Sequence, residues 1–189
     1  MTHTPGKLVW RDKTPPVRWQ GEEGRFLLRA EDTGGLYSFF EVTTSPGGGP
    51  PLHVHAAEDE AFYVIEGRYA IWLGDEEHEV SAGGLVYGPR GVPHKFRNIS
   101  GGSSKLLVVA TPGGVEGFFE GLSELMAGGG PPEPAAMIEL AGRFDVEGLE
   151  PVGPPPGAGR PGGGRPGGGR AGGGRAGAGR PGAARPAAS

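Results

Sequence analysis

The chain has 189 residues, no cysteine and a formal net charge of −4. A length of this order suits one folded domain, and the lack of cysteine excludes disulfides, thiolate metal sites and cysteine nucleophiles. The charge is polarised: residues 1–150 hold 12 Lys/Arg against 22 Asp/Glu, whereas residues 151–189 hold 6 Arg and no acid.

From the N-terminus, Met1 to Lys7 lacks the apolar core of a signal peptide. No apolar run approaches the roughly 20 residues that a spanning helix needs, so a soluble, cytoplasmic protein without a membrane partner is expected. Residues 26–29 and 36–42 are rich in strand formers and read as early strands. A Gly/Pro loop over 45–51 leads to His53-Val54-His55, then to Glu60 and the apolar run 61–65, closed by Gly67. Residues 69–73 follow as a hairpin partner, then 79–80, 85–87 and, after His94, the run 105–110. Short strands with turn signals at this spacing favour a sandwich or barrel over a parallel sheet. After Gly114 the period changes. Val115, Phe118, Phe119, Leu122, Leu125 and Met126 follow helical spacing, and Met137, Leu140, Ala141 and Phe144 repeat it. These two short helices are expected to cover an open barrel edge; the alternatives are a pocket border or a dimer contact.

The chemistry concentrates between Gly47 and Asn98. One signature runs Gly47, His53, His55, Glu60, Gly67; a second runs Gly83, Pro89, Gly91, His94, Asn98. Alternation along a strand puts His53 and His55 on one side and Val54 on the other. Likewise, His94, Phe96 and Asn98 share a face. If Glu60 faces the histidines, Phe62 and Val64 line the same interior. Three imidazoles and a carboxylate are a ligand set for one divalent transition metal. Iron, manganese, nickel, cobalt, copper and zinc all accept such donors, which do not choose among them. His3 and His78, in a terminus and a charged hairpin, read as non-ligands.

Both signatures resemble, residue for residue, the two motifs of the cupin superfamily. The resemblance implies an all-β fold, the double-stranded β-helix or jelly-roll barrel, with metal held in its mouth by His53, His55, Glu60 and His94. It also favours Glu60 over the neighbouring carboxylates Glu58 and Asp59, because of the six-residue step to Gly67; Glu58 is expected at the solvent rim. The implied layout is an N-terminal extension with an early strand (1–34), the barrel (35–112), helices packed on it (113–150) and a tail (151–189). The tail, with arginine at every fifth position from 160 to 185 among Gly, Ala and Pro, lacks the apolar surface to offset its ordering entropy and is expected to be disordered. Its charge offers a weak route to nucleic acid. It has no aromatic residue for base stacking, so no such partner is expected.

More narrowly, Glu60-Ala61-Phe62-Tyr63, Gly88-Pro89 and Thr111-Pro112-Gly113-Gly114 with Phe118-Phe119-Glu120 are similar to single-domain bacterial cupins related to quercetin dioxygenase. That likeness implies a metal-dependent dioxygenase of a flavonol or another enolisable aromatic, with a small-molecule substrate and dioxygen as partners. Glu60 would be both ligand and general base. Tyr37, Phe39, Phe62, Val64 and Phe96 are candidates for an apolar pocket wall, assigned by alternation alone. Arg90 and Lys95 read as solvated residues flanking the second motif. Two other readings stand: another metal-dependent cupin enzyme (an isomerase, decarboxylase or oxygenase of a polar substrate), or a non-catalytic small-molecule-binding cupin. A homodimer through an edge-to-edge barrel contact is expected by analogy with the family.

Overall fold

In the computed structural model residues 5–150 are described; His3 and the tail from 151 onward, with its expected disorder, lie outside the described residues. The described chain forms β1 (Val17–Trp19), β2 (Glu22–Leu28), a single turn α1 (Ala30–Thr33), β3 (Ser38–Thr44), β4 (His53–His55), β5 (Asp59–Glu66), β6 (Arg68–Leu73), β7 (Glu76–Ser81), β8 (Leu85–Gly88), β9 (His94–Asn98) and β10 (Ser104–Thr111). Helices α2 (Glu116–Leu125) and α3 (Pro134–Arg143) and a last strand, β11 (Val146–Gly148), complete it. None of these helices is long and apolar enough to cross a membrane.

The strands build two antiparallel sheets, in the orders β1-β2-β3-β10-β5-β8 and β11-β4-β9-β6-β7. Neighbours that are distant in sequence, such as β3 beside β10, give the crossed connectivity of a jelly roll. Alternation drives the packing. On β5, Glu60, Phe62 and Val64 are buried while Tyr63 and Ile65 are exposed, and on β10 Leu106, Val108 and Ala110 turn inward. From the second sheet, Tyr69, Ile71 and Phe96 meet them in one core. Each fully buried aliphatic such as Val64 or Leu106 contributes roughly 1.5–3 kcal/mol relative to its exposed state.

The turns carry the register. In the β1–β2 hairpin, Gln20 and Gly21 both have positive φ (46° and 82°), the two-residue turn whose twist matches the flanking strands. Trp19 and Glu22 are therefore direct cross-strand partners. Gly67 also lies at positive φ, 86°, and a Cβ there would stand 1.9 Å from Ser104 Oγ, so the turn between β5 and β6 accepts glycine alone. Asn98 closes the far end of the barrel. Its Nδ2 donates to the carbonyls of Thr44 (3.1 Å) and Gly102 (2.9 Å), while its Oδ1 accepts from Ser100 N (2.8 Å) and Ser104 Oγ (3.0 Å). The motif asparagine is thus a fully satisfied structural bracket.

Beyond the barrel, Glu116 fastens α2 to the N-terminal half. Its buried carboxylate accepts from Ala30 N at 2.8 Å and from Ser38 Oγ. Trp19 and Phe119 meet at 4.3 Å between ring centroids, and Phe118 packs edge-on to Phe144 at 6.0 Å. The chain then returns to the barrel. β11 pairs with β4, setting Val146 opposite His55 and Gly148 opposite His53. Composition gave no hint of β1 or β11, since each is three residues long and is stabilised by its partner strand.

Candidate metal centre

The two sheets supply the cluster from opposite sides. His53, His55 and His94 stand on β4 and β9 of the second sheet, where His53 pairs directly with His94. Glu60 comes from β5 of the first sheet. One ligand atom from each of the four residues lies within 4.8 Å of all the others. A clamp between the two sequence signatures helps to hold them together: Arg90 donates to both oxygens of Asp59 at 2.9 Å and from its backbone N at 2.8 Å. Arg90 is thereby paired rather than merely solvated, and its guanidinium, with its backbone amide, lowers the Asp59 pKa to about 2. Lys95, the other flanking cation, pairs with Glu150 at 2.8 Å and lies over the Trp72 ring.

The donor set fits a transition metal. Nδ1 of His53 meets the Pro51 carbonyl at 2.9 Å, and Nδ1 of His94 meets the Val92 carbonyl at 3.0 Å. A carbonyl only accepts, so each Nδ1 carries a proton, which leaves Nε2 as the nitrogen that would give its lone pair to a metal. Nε2 of His94 and of His55 lie 3.0 and 3.3 Å from Glu60 Oε2. Behind His55, Nδ1 faces Glu58 Oε2 at 3.1 Å, and neither atom has another partner among the described residues. This corrects the expectation for Glu58: it is buried, not at the rim. Bonding distance to a buried imidazole outweighs its loss of hydration, which spacing along the chain cannot reveal.

The two carboxylates favour positive charge at the cluster. Burial acts to lower the His55 pKa, but the two carboxylates Glu58 and Glu60 overcome it and raise the group to about 10. Burial acts to raise Glu60, and hydrogen bonds and charge from His55 and His94 overcome that, holding it below the usual carboxylate range. His53, partly accessible as a residue, is lowered to about 4 by burial and then by the nearby His94. Of the remaining histidines, His78 lies by Glu76 (3.3 Å) in the β7 edge strand, away from this cluster.

A cavity of about 640 Å³ reaches the cluster, with His53, His55 and Glu60 on its wall. Phe62 and Phe96 line it, as their strands' alternation predicts. Val64 is fully buried in the core but is not on the wall, and Tyr37 and Phe39 are not on it either. Phe40 and Val42 take that place. Two adjacent aromatics leave the phase of β3 open in the sequence; Ser38, tied inward to Glu116, and Phe40, stacked on Phe26 at 4.8 Å, decide it. The helices take the pocket-border role that the sequence left as an alternative. Phe118, Phe119 and Leu122 of α2 and Met137 and Ala141 of α3 line the cavity, so these faces wall the pocket as well as covering the barrel. One polar wall residue had no sequence signal at all. Glu22, in the polar stretch Gln20 to Gly24, is buried on the cavity wall.

Comparison with known proteins agrees with this architecture. A family model described as "Cupin domain" matches residues 40–110. An uncharacterised protein of Streptomyces coelicolor is 45% identical over 88 residues, covering 47% of this chain and 78% of that protein. This chain belongs to the cupin superfamily. The solved structure of the polyketide cyclase RemF from Streptomyces resistomycificus is similar to this cupin with a TM-score of 0.50 and 32% identity, covering 57% of this chain and 80% of that one. Quercetin 2,3-dioxygenase of Bacillus subtilis is 27% identical over 96 residues, covering 46% of this cupin and 28% of the enzyme. The matched segment therefore spans little more than a quarter of that enzyme's length.

Proposed function

We propose that this cupin is a metal-dependent enzyme acting on a flat, enolisable aromatic substrate, and that its reaction is the dioxygenation of a flavonol or a close chemical relative. The observation that carries the reading is the junction of a His53/His55/His94/Glu60 cluster with an apolar, aromatic-walled cavity. A polar substrate would leave its hydroxyls unpaired against Phe40, Phe62, Phe96 and Phe119, at a cost of about 1–3 kcal/mol for each buried group. That weighs against an isomerase or decarboxylase of a polar substrate. The likeness to quercetin 2,3-dioxygenase supports the substrate class.

In this proposal His53, His55, His94 and Glu60 would hold one divalent transition metal, which would supply Lewis acidity toward an enol or phenol oxygen and reactivity toward dioxygen. The residues of the chain do the rest. Glu60 receives the proton of the substrate hydroxyl. Its basicity is set by two opposed effects, burial raising it and the imidazole N–H donors lowering it. Phe62 and Phe96 hold the ring plane against the cluster, while the faces of α2 and α3 exclude bulk water.

A second reading has its own support. The 32% identity to a polyketide cyclase favours ring closure of a polyketide chain without an oxidant. Dioxygen separates the two. Purified protein would be assayed for metal content and then for oxygen uptake across a panel of flavonols. Uptake in step with flavonol loss supports the dioxygenase; substrate conversion at the same rate without dioxygen points to the cyclase chemistry. A protein that holds metal but converts no aromatic under either condition sinks both.

A further inference from the structure

The outer face of the first sheet is apolar where β10, β5 and β8 lie side by side. Register sets two rows across it, Val109–Ala61–Tyr87 and Leu107–Tyr63–Leu85. These residues alternate with inward neighbours such as Phe62, Val64, Leu106 and Val108, so all six point away from the core and the cavity. An antiparallel sheet that meets water on its outer side ordinarily carries polar residues there. Here Leu85 is 62% exposed, Tyr87 53% and Tyr63 41%.

The N-terminal arm extends this face. It crosses β2 and β3 on the outer side, where Arg11 donates to Glu41 at 2.6 Å and Arg25, paired with Glu41 across the strands, donates to the Thr14 carbonyl. Leu8 and Trp10 stand exposed on that arm, and Ile65 is exposed near the end of β5. With Tyr63, Leu85 and Tyr87 they present on the order of 700 Å², at roughly 200 Å² for each when fully exposed. The largest apolar patch of a typical monomer is about 300–600 Å², whereas a stable interface buries about 800 Å² on each partner.

Charge narrows the choice of partner. Residues 1–150 hold an excess of acid, so two copies repel over much of their surface. Around the apolar rows the ionised groups are already matched within the chain: Arg11 with Glu41, Lys105 with Glu66 at 2.7 Å, and Arg90 with Asp59 at 2.9 Å. A partner recognised by charge finds no unpaired ion among these groups. A second copy meets a neutral, apolar surface equal to its own.

We infer that this face is the contact between two copies of the chain, related by a two-fold axis, with Tyr63 and Leu85 in the buried part. The sheets meet back to back, which differs from an edge-to-edge pairing through the backbone of β8. Both cavities, which lie behind Phe62 and Val108, are left free. The inference does not rest on the reaction proposed above.

The test is sedimentation velocity of the full chain across roughly 1–100 μM, in low and in high salt. The native protein should be a dimer that high salt leaves intact. Tyr63→Lys and Leu85→Lys should each weaken it at least about 30-fold, the scale of one central interface residue. Tyr63 lies one strand in from the sheet edge, so its replacement spares an edge pairing. Leu125→Lys, at an exposed apolar position on α2, should leave the dimer unchanged. A kept far-ultraviolet spectrum and cooperative melting show that each variant is folded; should a lysine variant fail this, Tyr63→Thr, a polar strand former, takes its place with the same direction of effect. A native protein that stays monomeric throughout, or a dimer that high salt dissociates, overturns the inference. So does a dimer that survives the substitutions at Tyr63 and Leu85, or one that Leu125→Lys breaks equally.

Discussion

Nδ1 of His55 faces Oε2 of Glu58 at 3.1 Å, with both residues buried. A carboxylate behind a candidate metal ligand fixes the ring orientation and makes the opposite nitrogen a better donor. Replacing Glu58 by Ala should therefore reduce metal affinity by roughly 10- to 100-fold without removing a ligand. Competition against a chelator of known affinity measures this. An unaltered affinity would mean that Glu58 only fills space behind the ring.

Removing a ligand has a different signature. His53→Ala or His94→Ala should lower bound metal sharply while the far-ultraviolet spectrum of the barrel is kept, because neither ring belongs to the apolar core. Elemental analysis of the purified variants decides the matter; undiminished metal in both rejects the assignment of the site.

Glu60→Gln keeps an oxygen donor but has no basic oxygen for a proton. Turnover should fall on the order of 10²- to 10⁴-fold, more than metal content does, if Glu60 is the general base. A variant that turns over as fast as the native protein excludes the proton-transfer role.

The raised His55 pKa makes metal binding depend on pH. Its ordinary value is 6.5 and its value in the fold is about 10. The group's contribution to stability is therefore complete below 6.5 and is lost as pH rises toward 10. A metal must displace that proton, so affinity should tighten over the same window, and the thermal shift on adding metal should be larger at about pH 8.5 than at about pH 6. A shift that shrinks with rising pH would contradict the two-carboxylate environment of His55.

Glu22 gives the opposite slope. Burial first of all, only partly offset by Trp19 and Gly49, raises its pKa from 4.5 to about 7. Ionising it in the fold thus costs stability that is untouched below 4.5 and is fully forfeited above about 7. At about 1.4 kcal/mol per pKa unit the penalty is on the order of 3 kcal/mol. Glu22→Gln should unfold at a higher temperature than the native protein at about pH 8, and at nearly the same temperature at about pH 4. Equal melting temperatures at both would falsify the buried-carboxyl account.

Much of the site was legible because its information is local. His53 and His55 share a face by strand alternation, and the same rule carries Glu60 to Phe62 and His94 to Phe96. The rule supplies a period without a phase. On β3 two adjacent aromatics fit either phase, and the wall residues turned out to be Phe40 and Val42 rather than Tyr37 and Phe39. Similarly, the helical spacing from Val115 to Met126 and from Met137 to Phe144 marked α2 and α3, but not what their apolar faces would enclose.

The order of residues along the chain by itself determined the short strands, their glycine turns and the two spaced signatures, since these are properties of neighbouring residues; the jelly roll and the convergence of the four donors followed from the resemblance those signatures carry. Tertiary structure alone decided what surrounds those donors. Glu58 and Glu22 look in sequence like any solvated acid, and the closed fold buries each beside a group three residues before it: the His55 ring in one case, the Trp19 indole in the other, where the distant Gly48 turn also packs against the carboxyl. The ionisation of a carboxyl group depends on the water and charge around it in space, and those are set only when the strands close.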